Sequence, residues 1–564
     1  MRKTLKFIIL ILFSIETLIG QNKLLIPDTL MGTNFTLNLQ NGTYQFKSGT
    51  PTNTMGVNGN ILGPTLILNK GDYVSMHVFN NLIDTTTIHW HGMHVSAEND
   101  GGPHTFILPG QTWSPSFYVM DHASTFWYHP HLHHKTDLHA SKGIAGMIIV
   151  KDSIEESLIL PRNYGVDDIP LVIQTKDFDS NNQIVVHSNS DDVLMVNATI
   201  DPFVDVPSQV IRFRVLNGSS QRTFNLGLSD NRSFYQIASD GGLLDTPYKT
   251  TRLMISPGER AEILIDFSGL NGQSINLVSY ASELQSGIYG AKNPGMMAMM
   301  TLNGYNPNPL NGADFKVIEF KIQEQNGNPV TLIPTFLTSN QPWSINQSNI
   351  TRILTFSPAA MGPNQLNGNF LINNTSFDMN KINFTIPLNN LEIWELRNNS
   401  AIAHPFHIHD VQFYVLDRNG VAPPVNERGR KDVILIKSME TVRFITKFED
   451  FSNASVPYMY HCHLLTHEDG GMMGQFVVEN NSTSTVNVKK DGITIYPNPA
   501  NDFVNINIEN SGDIEIYDMS GILILNKSVS AGITNLNIGN FNSGIYVIKY
   551  KCAEFQIITR LIKI

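Results

Sequence analysis

Tyr458-Met-Tyr-His-Cys-His-Leu-Leu-Thr-His-Glu-Asp-Gly-Gly-Met-Met-Gly474 is the stretch on which the reading of this chain turns. It places Cys462, one of only two cysteines, between His461 and His463, with His467 and Met472 close behind. Tyr458, Met459 and Tyr460 read as the end of a β-strand, so the three residues that follow start extended. Successive side chains on a strand point to opposite faces. Cys462 is therefore expected on one face, with His461 and His463 on the other. A thiolate, two imidazoles and a weak axial methionine form the ligand set of a blue-copper electron-transfer site. Cys462, His467 and Met472 supply three of these ligands. His461 and His463 are left to serve a second metal site across the strand, on the order of 10 Å away if the two sites are separated as sheet faces are.

Working outward, the 18 histidines are unevenly distributed. Ten of them form four clusters: His89-Trp-His91-Gly92, His129-Pro-His131, His404-Pro-Phe-His407-Ile-His409, and His461-Cys-His463 with His467. A His-x-His pair on a strand puts both rings on one face. One pair arises readily by chance; four in one chain do not. The eight paired imidazoles suit three coppers with two or three nitrogens each, every pair bridging two neighbours. His404 and His467 remain, and with Cys462 and Met472 they complete the blue-copper set. Zinc sites favour four ligands at local Cys/His spacing, and no such unit occurs here. No histidine lies between His187 and His404, so the middle of the chain reads as a spacer or a substrate-side wall.

At 564 residues the chain exceeds one core, and three or four domains are expected. Hydrophobic residues make up 41% and charged residues 15%, with abundant Gly, Asn, Thr and Ser. That composition predicts an all-β, loop-rich chain. A net charge of −11 argues against nucleic acid as a partner. Alternating runs at Thr65–Leu68, Tyr73–Phe79, Phe117–Val119 and Gly146–Val150 predict a first sandwich over 22–150, followed by a polar link to Asp168. Leu171–Ile173, Ile211–Val215 and Ala261–Phe267 predict a second over 166–305, with a turn at Pro257-Gly258. Leu391–Leu396, Val411–Leu416 and Gln475–Val478 predict a third over 315–480. An Asn/Ser/Thr tether then leads to a histidine-free strand-rich module, 492–564.

Residues 1–20 have the form of a secretory signal peptide: Arg2, Lys3 and Lys6 precede a short apolar core from Phe7 to Phe13. That core is shorter than the roughly 20 residues a membrane span requires. The mature protein is expected to be exported with no transmembrane segment. Two cysteines, one of them assigned to metal, leave no disulfide framework.

These motifs resemble those of the multicopper oxidases, in particular the three-domain laccase and bacterial copper-efflux oxidase type, over residues 22–480. The resemblance implies three cupredoxin-like Greek-key β-sandwiches and four copper ions. It implies a type 1 copper on His404, Cys462, His467 and Met472, and a type 2 copper on His89 and His407. The type 3 pair falls to His91, His129, His131, His409, His461 and His463. It also implies that Asp100 and Glu468 assist proton delivery. In the efflux oxidases a long methionine-rich insertion covers the type 1 site. Here the matching segment, Pro358 to Asn380, is short and holds only Met361 and Met379. The Met296-Met-Ala-Met-Met300 cluster reads as core packing. The activity expected is one-electron oxidation of phenols or aromatic amines coupled to reduction of O₂ to water. The alternatives are a metallo-oxidase of Cu(I) or Fe(II), or a non-enzymatic cupredoxin-fold binding protein. The C-terminal phrases Ile495-Tyr-Pro-Asn-Pro-Ala500, Ile514-Glu-Ile-Tyr-Asp-Met-Ser-Gly521 and Phe541-Asn-Ser-Gly-Ile-Tyr-Val547 resemble a type IX secretion sorting domain. That implies the type IX machinery as a partner and a secreted or cell-surface location.

Overall fold

The computed structural model describes residues 21–293, 308–360, 368–480, 493–552 and 556–564. The expected signal peptide, the Met296–Met300 cluster, Met361 and the tether 481–492 lie outside the described residues. The chain divides into two compact units, Met1–Asn480 and Asn481–Ile564.

The first unit holds three sheet pairs, each closed on its own apolar core, and bears out the all-β fold. In the first, Thr29–Met31, Thr65–Asn69, Gly146–Lys151, Ser124–His129 and His89–His91 form one sheet. Asn34–Tyr44 and Tyr73–Asn81 are central to the other. Alternation along Tyr73–Asn81 sends Val74, Met76 and Val78 inward against Leu37, Phe126 and Ile148. The middle pair packs Phe213, Phe224, Ile263 and Phe320 between its sheets. The third is built around Trp394, Phe406, Phe444 and Tyr460. The second unit is a separate small sandwich of a three- and a four-stranded sheet, with Val504, Ile516, Ile548 and Leu561 in its core.

Two registers position the site. Ser124–His129 pairs antiparallel with His89–His91, which sets His129 opposite His89 and Trp127 opposite His91. In the third sandwich, Asn453–Cys462 pairs with His404–Ile408, setting Cys462 opposite Phe406 and His461 opposite His407. The period of two then sorts the side chains. Phe406, Tyr460 and Cys462 join the hydrophobic core, while His407 and His461 face away from it.

Candidate metal centres

On the core side, Cys462 Sγ lies 3.5 Å from His404 Nδ1 and 3.7 Å from His467 Nδ1. His404 sits on its strand, and its outer Nε2 meets the Ser400 hydroxyl at 2.8 Å. His467 comes from the short helix Leu465–Asp469. That helix turns back through a backbone bond from Met472 N–H to the His467 carbonyl at 2.9 Å. Cys462 N–H in turn donates to the Met472 carbonyl at 3.1 Å, which holds the buried Met472 beside the cysteine strand. Burial pushes the Cys462 thiol well above its usual range. Both rings are buried, at 0% and 1% exposed, with the Phe370 ring 4.9 Å from that of His404 and 4.6 Å from that of His467.

On the opposite face, the other eight clustered histidines converge in one buried space. His131 Nε2 lies 3.1 Å from both His461 Nε2 and His409 Nε2, and His91 Nδ1 lies 3.2 Å from His129 Nε2. His89 stacks on His409 at 3.8 Å, and His91 on His407 at 3.8 Å. Groups such as His131, His409 and His461, or His89, His91 and His129, each bring three ligand atoms within 4.8 Å of one another. Rings from the first and third sandwiches meet in this space, in the His131, His409 and His461 group and in the stacks of His89 on His409 and His91 on His407.

The outer nitrogens show which atoms face inward. A backbone carbonyl can only accept a hydrogen bond, so a ring nitrogen beside one carries the proton. His89 Nδ1 donates to the Asp100 carbonyl at 2.9 Å, His129 Nδ1 to that of Pro130 at 2.8 Å, and His407 Nδ1 to that of Asp432 at 2.9 Å. His461 Nδ1 does the same to the Cys462 carbonyl at 3.2 Å. Each thereby turns a bare Nε2 inward. His89 Nε2, His407 Nε2 and both nitrogens of His463 are buried without a hydrogen-bond partner. Buried polar atoms without partners are costly, and inward lone pairs on neutral rings are what a metal ion accepts. Burial, reinforced by the neighbouring rings, holds His91, His129, His131, His407 and His461 far below the usual imidazole range, and brings His463 down to about 3. His409 falls to about 4, burial again outweighing the pull of Asp100. The donors are neutral and soft enough for copper, and the residues present fit that metal.

Asp100 and Glu468 flank this space from two sides. Burial alone would raise Asp100, but His409, whose Nδ1 is 2.8 Å from Asp100 Oδ2, and His89 hold it below the usual carboxylate range. Glu468 lies 3.3 Å from both His131 Nδ1 and His461 Nδ1, and burial, together with Asp469, pushes it well above that range. The two acids thus favour opposite protonation states.

Some contributors carry no sequence signal. Asp432 meets His91 Nε2 at 3.1 Å and is gripped by Arg260 from the middle sandwich. The turn at Pro257-Gly258 reaches the site as well: a Cβ at Gly258 would lie 3.0 Å from the His463 ring. The middle block, read as a spacer or wall, therefore touches the histidine cluster directly. No local pattern marks Asp432 or Arg260, because each acts singly.

Residues 38–155 and 346–482 match the multicopper oxidase family, and residues 494–564 match the secretion system C-terminal sorting domain. The chain is 34% identical to the multicopper oxidase of Staphylococcus haemolyticus, across 82% of this chain and 93% of that one. It is similar to the structure of a laccase-like multicopper oxidase from the lignin-degrading bacterium Ochrobactrum, described as having oxidase activity towards lignin model compounds. That match has a TM-score of 0.70 and 33% identity over 81% of this chain and all of that one. A metallo-oxidase from Campylobacter jejuni aligns with a TM-score of 0.67 and 26% identity, covering 82% of this chain and 96% of that one. With its two faces of converging ligands and these relatives, the chain belongs to the multicopper oxidases and ends in a type IX secretion sorting domain.

Proposed function

We propose that the protein is a laccase-like oxidase that takes single electrons from phenols or aromatic amines at one copper and uses four of them to reduce O₂ to water at a cluster of three. The observation that carries this reading is the position of Cys462. Its sulfur belongs to one group of ligands, while its chain neighbours His461 and His463 belong to the other. A bonded route of a few atoms thus joins the two centres. His404, Cys462, His467 and Met472 would hold the type 1 copper, and His89 and His407 the type 2 copper. His91, His129, His131, His409, His461 and His463 would hold the type 3 pair. Copper supplies one-electron redox chemistry and a place for O₂. The chain supplies neutral inward nitrogens, a buried setting, and two acids in opposite protonation states. Glu468, raised beside His131 and His461, and Asp100, which orients His409, would assist proton delivery. The domain limits 22–150, 166–305, 315–480 and 492–564 are part of the same reading, with one main apolar core for each, although Leu24 and the strand Asp314–Gln323 with Phe320 pack into the middle core.

An organic donor is favoured by the short Pro358–Asn380 segment, which holds two methionines in place of a long methionine-rich cover, and by the similarity to the Ochrobactrum enzyme. The second reading, oxidation of Cu(I) or Fe(II), is favoured by the likeness to the Campylobacter metallo-oxidase. Residues 1–20 and the sorting domain together support export across both membranes of a Gram-negative cell, to the surface or the medium. Among the described residues, no helix is long and apolar enough to cross a membrane. Steady-state turnover of a bulky phenol and of Cu(I), measured on one fully copper-loaded sample, tests the donor. Phenol turnover exceeding that of Cu(I) is expected; turnover of Cu(I) alone would establish the second reading.

A further inference from the structure

His91 differs from its neighbours. His89, His129, His407 and His461 each fix Nδ1 on a carbonyl and turn Nε2 inward, whereas His91 fixes Nε2 on Asp432 and turns Nδ1 towards His129. Asp432 Oδ1 accepts from His91 Nε2 at 3.1 Å, while the Asp432 backbone carbonyl accepts from His407. One residue therefore orients a ring from each of two histidine clusters. It is held by Arg260, whose Nη1 and Nη2 reach the two carboxylate oxygens at 2.6 and 2.5 Å.

Arg260 itself is fully committed. Nε–H donates to the Thr125 carbonyl in the first sandwich at 3.0 Å, and the remaining guanidinium protons go to the carbonyls of Gly258 and Asp240 at 3.1 and 3.0 Å. All five guanidinium donors of an arginine are thereby used. The Arg260 side chain and the Asp432 carboxylate are completely buried. Gly92, next to His91, has φ +85°, and a Cβ there would come within 2.3 Å of Asp432 Oδ2 and 2.6 Å of Arg260 Nη2. The backbone beside His91 thus leaves room for this ion pair and for nothing larger.

We infer that Arg260, from the one sandwich that contributes no histidine, is a positioning residue for the three-copper cluster: it locks Asp432 so that His91 presents Nδ1 rather than Nε2. The inference rests on the copper reading above. Lysine keeps the charge but lacks the planar fork. Asparagine at 432 keeps the shape but sets an N–H against the donors of Arg260 or of His91. Partners that orient metal-bound histidines are typically worth 10–100-fold in metal affinity.

The experiment is a chelator titration of copper-loaded wild type, Arg260→Lys and Asp432→Asn, following the blue thiolate band and the near-ultraviolet band of the coupled copper pair. In both variants the near-ultraviolet band is expected to disappear at about 10–100-fold lower chelator than in wild type, with the blue band unchanged. Variants whose two bands titrate as in wild type overturn the inference. So do variants that lose both bands together, because Arg260 would then support the fold at large. A wild type with no blue band and no coupled pair refutes the copper reading itself, whatever the variants do.

Discussion

Cys462 is the residue at which two chemistries meet, and its replacement separates them. Cys462→Ser exchanges a soft sulfur for a hard hydroxyl at a fully buried position. The blue colour is expected to vanish while the eight histidines behind the strand still take up copper, which metal analysis and absorption spectra check. A variant that stays blue would show that the sulfur is not the ligand. The imidazoles make a second prediction. Several of them titrate far below the value near 6.5 of an unfolded chain, with His409 at about 4 and His463 at about 3. As pH falls from about 6.5, the unfolded chain binds protons that the folded one refuses, so stability drops. Glu468, Asp121 and Asp469, all raised by burial, work in the opposite sense, but the histidines outnumber them. Copper-free protein is expected to lose at least about 2 kcal/mol of unfolding free energy between pH 7 and pH 5. Urea unfolding at the two values measures it.

At the scale of the element, turns decide as much as strands. Gly258 has φ +85° beside the His463 ring. Alanine there meets both a left-handed backbone penalty of roughly 1–2 kcal/mol and a side chain with no room to give. Gly258→Ala is expected to lower the unfolding free energy by at least that amount and to loosen copper on the cluster face, leaving the blue centre in place. Denaturation and metal analysis report the two effects separately. Apolar strand runs are legible in the sequence: Tyr73–Phe79 and Leu391–Leu396 are observed as Tyr73–Asn81 and Leu391–Asn398. Val411–Leu416 was displaced, since the strand runs Phe413–Arg418. The chain turns first at Asp410, φ 71°, with Val411 N–H bonded to the His409 carbonyl. The polar link after Lys151 hides a helical turn, Ser153–Glu156, capped by the Asp152 side chain. One turn of helix is too short to show a period. The site divides in the same way. Histidines and cysteine announce themselves by clustering, whereas Asp432, Arg260 and Ser400 are single residues whose roles exist only once distant strands are paired.

Across the whole molecule, catalysis and delivery are carried by different units. All the clustered histidines precede Asn480, and the sorting module has its own core. A chain ending at Asn480 is expected to bind copper and oxidise phenols as the full-length protein does, yet to remain in the periplasm. Activity assays on cell fractions would check both halves of that statement. A truncated chain found in the medium would show that export does not depend on the tail. There is also a consequence for biogenesis. His131 and His461, whose ring nitrogens stand 3.1 Å apart, are separated by 330 positions. No nascent fragment owns the finished cluster: its early half is completed only by strands made late in translation. The full ligand set is therefore assembled in whichever compartment the completed polypeptide folds.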